Sequence, residues 1–240
     1  MTCRFDELYE EAVPLLLAGA HQRDVPPTEG GRWPVSVFLA PSGAVAERLH
    51  GLTAEAARIA GPGHFWTGAR GFAHFTVRAL ETYRESASAA DDVVRRWTAA
   101  MTAAAARCRP VGLRLTGLTL TAGTVMARAE PLDDAAWEFM AVLAEELGED
   151  GWFEAGFRRT IWYANLLHFA ADLADPAALV DWVSERRNLA LGNCVLPAAQ
   201  LVRFVFDKRG SVAGAKPVVF AEAAFGERPA SLQETRSQTV

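Results

Sequence analysis

Two stretches of the chain, Phe72-Ala73-His74-Phe75-Thr76-Val77-Arg78 and Leu166-Leu167-His168-Phe169-Ala170-Ala171-Asp172, each set a His-Phe pair inside an apolar run. Side chains alternate between the two faces of a β-strand. On that rule His74, Thr76 and Arg78 share one face, as do His168, Ala170 and Asp172, while Phe75 and Phe169 turn the other way. Each His-Phe strand thus aims a polar trio or near-trio one way and packs its phenylalanine the other way.

The remaining pattern alternates helices and strands. Phe5, Leu8, Tyr9, Ala12 and Leu15 fall at helical spacing and predict an amphipathic helix over 4–18. Val25-Pro26-Pro27-Thr28-Glu29-Gly30-Gly31 breaks it. A buried strand is expected at 35–39, a helix over 43–59 and a strand over 74–80. Asp91 is placed to cap a helix running to 107, with Val94, Trp97 and Met101 on one face. Runs 112–120 and 124–130, joined by Thr121-Ala122-Gly123, predict a hairpin. Asp133 or Asp134 caps the next helix, whose inward side chains are read as Trp137, Met140, Ala144 and Leu147, with Gly148 at its end. A strand follows over 160–172. Asp175-Pro176 starts a helix to 187. Strands at 200–206 and 217–225 flank a turn at Asp207-Lys208-Arg209-Gly210. The expected class is α+β, with antiparallel hairpins and helices packed on the sheet.

His74-Phe75-Thr76-Val77 and His168-Phe169-Ala170-Ala171, one in each half, resemble the paired H-x-[ST]-x strand motifs of the two-histidine (2H) phosphoesterase superfamily, which includes 2′-5′ RNA ligase-like and cyclic phosphodiesterase proteins. The hairpin at Leu115-Thr116-Gly117 and the strand Leu201-Val202-Arg203-Phe204 support the likeness, which covers about residues 33–226. It implies a bilobal fold with a pseudo-twofold axis, two antiparallel-rich sheets flanking a central cleft and helices outside. The domain is then 33–226, preceded by a helix and linker over 1–32 and followed by a polar tail over 227–240. It implies that His74 and His168 are catalytic, with no metal and no cofactor.

Paired imidazoles suit that chemistry, because two groups with near-neutral pKa values can hold opposite protonation states at one pH. One activates water against a 2′,3′-cyclic phosphate and the other protonates the leaving oxygen. The residues leave open which does which. The Thr76 hydroxyl can donate to a phosphate oxygen. Ala170 stands where the second motif has Ser or Thr, and a missing donor of this kind costs about 2.7–4 kcal/mol of barrier. Arg78 can compensate, the substrate can differ, or the enzyme can be slow. Asp172 holds the position equivalent to Arg78, so the two are expected to pair across the lobes.

Other residues have two readings. Trp162 can stack on a base or simply pack in the core. Arg158 and Arg159 can reach a phosphate or stay solvated. His64, in the loop Gly61-Pro62-Gly63-His64-Phe65-Trp66, can rim a pocket. His21 and His50 show no partner pattern, and Cys108 and Cys194 read as small buried hydrophobes.

Composition narrows the function class. Half of the 240 residues are hydrophobic and 22% charged, which excludes wholesale disorder. A net charge of −5 argues against bulk DNA binding and for a small nucleotide-like or RNA-end substrate. Three scattered cysteines without a CxxC, an acidic start and no long apolar run point to a cytoplasmic protein without a membrane span. G-x-S-x-G, H-E-x-x-H, Walker and G-x-G-x-x-G motifs are absent. The expected function is metal-independent phosphodiester hydrolysis or transfer. The alternatives are an enzyme on the same fold doing non-phosphoester tailoring chemistry on a small molecule, and a non-catalytic ligand-binding protein.

Overall fold

The structure, a computed structural model, describes residues 3–157, 159–209 and 212–226. Arg158, Gly210 of the expected turn and the tail over 227–240 lie outside the described residues.

The elements in chain order are α1 (Arg4–Leu17), β1 (Val35–Leu39), α2 (Gly43–Ala60), β2 (Phe65–Trp66), β3 (Phe75–Glu81), α3 (Asp92–Arg107), β4 (Val111–Leu120), β5 (Thr124–Pro131) and α4 (Ala135–Leu147). A 3-10 helix (Gly148–Glu154), β6 (Trp162–His168), α5 (Pro176–Ser184), β7 (Gly192–Leu196), β8 (Ala198–Arg209) and β9 (Val212–Ala224) complete the order. The class is α+β. Hydrogen bonding links the strands in the order β3-β1-β8-β9-β2-β6-β5-β4-β7. Two antiparallel sheets, β3-β1-β8-β9 and β6-β5-β4-β7, meet at the two-residue β2, which runs parallel to β9 and antiparallel to β6. The order curls: β3 and β6 approach each other although β1, β8, β9 and β2 lie between them.

Burial on the two faces explains the layers. On β1, Val35, Val37 and Leu39 enter the main core with Phe75, Val77 and Leu80 of β3. Trp97 and Met101 of α3, Leu49 and Ala56 of α2, and Tyr9 and Leu16 of α1 fill the same core. Phe38 turns the other way into a smaller cluster with Trp33, Phe65, Tyr83, Val202 and Phe204. The helices therefore cover one face of the curled sheet, and the other face carries an aromatic floor. Burying a large apolar side chain stabilises by about 1.5–3 kcal/mol, so Leu16 and Tyr9 bind α1 into the same core as the strands.

Local signals worked where they were strong. The Asp175 carboxylate accepts the Ala178 N–H at 2.9 Å with Pro176 opening α5. Asp91 sits at the N-cap of α3, but its carboxylate turns to Arg84 at 2.5 Å and to the Ser88 N–H at 3.3 Å. The inward stripe of α4 is Ala136, Phe139, Leu143 and Leu147, and Trp137, Met140 and Ala144 lie on its flank, partly buried. Strand β6 stops at His168 rather than continuing to 172, and α5 stops at Ser184. In β4, Gly117 follows an extra residue, Thr116, in the pairing with β5 and adopts φ 140°. A Cβ there would collide with the Arg187 carbonyl oxygen, so only glycine fits. Among the described residues, no helix is long and apolar enough to cross a membrane.

Candidate active site

β3 belongs to one sheet and β6 to the other, and the curl brings the two histidine motifs to one cavity of about 600 Å³. His74, immediately before β3, and His168, the last residue of β6, both line it. Thr76, Ser36, Thr82, Asn165, Arg32 and Glu154 supply polar wall, and Trp33, Phe153 and Phe204 supply aromatic wall.

Each histidine is fixed through the same nitrogen. His74 Nδ1 lies 2.7 Å from the Phe72 carbonyl oxygen, which can only accept, so Nδ1 carries the hydrogen. Its ring stacks on Phe38 at 4.9 Å and leans on Phe204 at 5.2 Å. His168 Nδ1 donates to Asp24 Oδ2 at 2.9 Å, and its ring lies 4.8 Å from Trp33. In both, Nε2 is the nitrogen left for a ligand. The two are not electrically equal. Burial pushes His74 down to about 4, against an upward pull from the Phe72 carbonyl, and nearby His168 lowers it further. Burial also lowers His168, but the hydrogen bond and charge of Asp24 oppose that fall. Burial raises the Asp24 carboxyl, yet His168, Arg32 at 3.3 Å and the Val25 N–H outweigh it and leave it below its usual value.

Asp24 lies in the linker after α1. It is brought to His168 by the backbone: its N–H donates to the Phe169 carbonyl, and the neighbouring Gln22 N–H to the Ala122 carbonyl. The same linker delivers Gly30, Gly31, Arg32 and Trp33 to the cavity. Trp33 is the one described non-glycine residue at positive φ, 73°. Such strain persists where surrounding structure imposes it, often at functional sites. No periodic or capping signal marked these residues in the sequence.

Two β-bulges decide which neighbours face the histidines. In β3, Phe38 pairs with Thr76 and Val37 with Arg78, leaving Val77 as the extra residue. Thr76 stays with His74 on the cavity side, while Arg78 joins Val37 on the core side and donates to the Gly151 carbonyl at 2.7 Å. In β6, Met126 pairs with Asn165 and Val125 with Leu167, leaving Leu166 extra. Asn165 therefore faces the cavity with His168, although regular alternation puts them on opposite faces. Beyond His168 the strand has ended. Asp172 pairs with Arg23 and not with Arg78, and the two lobes are not joined by that ion pair. Ala170 is partly buried against the aromatic floor, outside the cavity wall.

The other expected candidates are placed elsewhere. Trp162 is 1% exposed and packs edge-on to Trp137 at 5.7 Å, away from the cavity. Arg159 lies beside Glu154 at 3.7 Å and lines an adjoining cavity. His64 is buried: Nε2 donates to the Ala60 carbonyl at 3.1 Å, and Nδ1 accepts the Ala170 N–H at 3.2 Å. His21 donates from Nε2 to the Ala171 carbonyl at 2.9 Å. These two rings flank Phe169 edge-on and hold the chain just after His168. Cys108 and Cys194 are buried free thiols.

Solved structures share this architecture. TT0787 of Thermus thermophilus superposes at a TM-score of 0.58, with 16% identity, covering 81% of this chain and 99% of that one. LigT of E. coli complexed with 3′-AMP superposes at 0.54, with 11% identity over 81% and 99% of the two chains. LigT complexed with ATP gives 0.52 at 10% identity, over 80% and 98%. The chain has the LigT-like fold. No family model matches it, and no curated protein does.

Proposed function

We propose that this chain is a phosphodiesterase or phosphoryl-transfer enzyme acting on the 2′,3′-cyclic phosphate of a small nucleotide or RNA end, with His74 and His168 as its acid-base pair. The observation that carries the reading is the shared anchoring of both imidazoles through Nδ1, which leaves two Nε2 atoms for one cavity. The LigT-like fold, seen in E. coli LigT with 3′-AMP and with ATP, supports a nucleotide-like ligand.

The unequal surroundings of the two rings support a division of roles. His74, held near 4, is neutral at pH 7 and serves as the base. It takes a proton from water at Nε2 as the water oxygen bonds to phosphorus. His168 has Asp24 behind it to stabilise an imidazolium, so it serves as the acid. Its Nε2–H passes to the departing ribose oxygen as the P–O bond breaks. The bound phosphate anion favours the charged form of both rings. The reaction ends with His74 protonated and His168 neutral, and exchange with water resets the pair. Thr76 and Arg32 are the donors for the non-bridging oxygens, and Asn165 supplies the polar contact that Ala170 does not.

A second reading rests on the character of the wall. Among the described residues that line it, Arg32 is the single cation, Glu154 is a carboxylate, and much of the rest is aromatic or glycine. That balance also suits non-phosphoester chemistry on a small molecule, or ligand binding without turnover. The discriminating experiment is turnover of a panel of 2′,3′-cyclic nucleotides and a cyclic-phosphate-ended oligonucleotide in EDTA. Wild type is compared with His74→Ala and His168→Ala. Turnover lost in both variants supports the proposal. An inert wild type across the panel overturns it and favours the second reading.

A further inference from the structure

The cavity at the histidines has a neighbour on the same sheet. A second hollow of about 310 Å³ is lined by Arg4, Phe157, Arg159, Tyr163 and Met126, among others. The two adjoin at two places. Glu154 lines the first and lies 3.7 Å from Arg159 of the second. Asn165 of the first is paired across the sheet with Met126 of the second. Along β6, Asn165 in one and Tyr163 in the other are two residues apart, or about 7 Å on an extended strand. One ligand larger than a mononucleotide can lie over both.

The second hollow sets a buried cation beside an exposed aromatic ring. The Arg159 side chain is only 9% exposed, and its Nε has no hydrogen-bond partner among the described residues. Its nearest carboxylate is beyond hydrogen-bond length, and the other oxygen of that carboxylate is taken by the Ala79 N–H at 3.0 Å. A buried guanidinium with unused donors is costly unless an anion completes it. Beside it stands the Phe157 ring, 57% exposed, with the guanidinium 5.6 Å from its centroid. An aromatic face next to a cation is the arrangement that receives single-stranded bases and their phosphates.

Building on the proposed function, we infer that the substrate extends beyond one nucleotide. Its second unit sits in this hollow, with a phosphate on Arg159 and a base against Phe157. The test is binding of two non-cyclic probes, 3′-AMP and the 3′-phosphorylated dinucleotide ApAp, measured by calorimetry on wild type, Arg159→Gln, Phe157→Ala and His74→Ala. The dinucleotide is expected to bind wild type at least about tenfold tighter. Arg159→Gln and Phe157→Ala should each remove most of that advantage while leaving 3′-AMP affinity unchanged, which also shows that these variants fold. Equal affinity of the two probes for wild type, or an equal loss for both probes in Arg159→Gln, overturns the second subsite while leaving the histidine site standing. If neither probe binds, or if His74→Ala changes neither, the reading of the central site fails and the subsite fails with it.

Discussion

His168 and Asp24 form a hydrogen-bonded pair, Nδ1 to Oδ2 at 2.9 Å, between residues 144 positions apart. The carboxylate fixes the tautomer of the imidazole and favours its charged form, as an orienting carboxylate does behind a catalytic histidine. Asp24→Asn keeps an acceptor but removes the charge. With His168 as the acid, the pH–rate profile of the variant should show its basic limb moved to lower pH, with kcat at pH 7 down by about 10²-fold. A basic limb that stays in place would remove Asp24 from this role.

His74 predicts how stability depends on pH. Its folded pKa is about 4, whereas an unfolded histidine titrates near 6.5. Between those values the unfolded chain holds the proton and the folded chain does not. Stability is therefore full above about pH 6.5 and falls as the pH drops toward 4, by roughly 2–3 kcal/mol once partial solvent access through the cavity is allowed for. His168, also lowered, acts in the same direction. Asp24, lowered from its usual value, adds a loss only at still more acid pH, as the pH falls through its folded value. Urea midpoints from pH 7.5 to 4.5 should show a steeper decline for wild type than for His74→Gln. Parallel curves would contradict this account.

Thr76 and Ala170 occupy equivalent motif positions but different surroundings. Thr76 faces the cavity, and Ala170 lies against the aromatic floor. On cyclic-nucleotide turnover, Thr76→Val is expected to cost about 100-fold in kcat, the usual consequence of losing a donor to the developing charge. Thr76→Ser should keep most of the rate. Ala170→Ser should change it by less than about threefold. A large gain from Ala170→Ser would show that its side chain reaches the phosphate after all.

Trp162 separates packing from recognition. Truncation to Ala in the core should cost about 3–5 kcal/mol in a denaturant titration. Trp162→Phe should leave KM for any nucleotide unchanged, because the ring meets Trp137 rather than the cavity. A KM rise with unaltered stability would place a base on it.

What the sequence made legible follows from where its signals are local. Asp175-Pro176, the β4–β5 hairpin and the apolar spacing of α1 and α3 are written within a few residues, and the corresponding elements formed. The two-residue β2 offers no period to detect, and β7 is a half-exposed edge strand whose pattern reads as loop. The two histidines stood out in the sequence because each lies in or beside its own apolar strand. Their neighbours were not, because a bulge is a property of two strands in register. Arg78 left the face of Thr76, and Asn165 joined that of His168, for a reason no single segment contains. Asp24 was hidden for a related cause: a linker carboxylate acquires meaning only from the strand end it lies against.

The linker's attachment to the end of β6 also sets a timetable during synthesis. Asp24 leaves the ribosome long before His168, and at 5–20 residues per second the interval is about 7–30 s. Throughout it the segment from Asp24 to Trp33 has no Phe169 carbonyl to grip and no imidazole to meet. This early-made linker is thus among the last segments to find its place, and a nascent chain halted before β6 carries His74 without its counterpart.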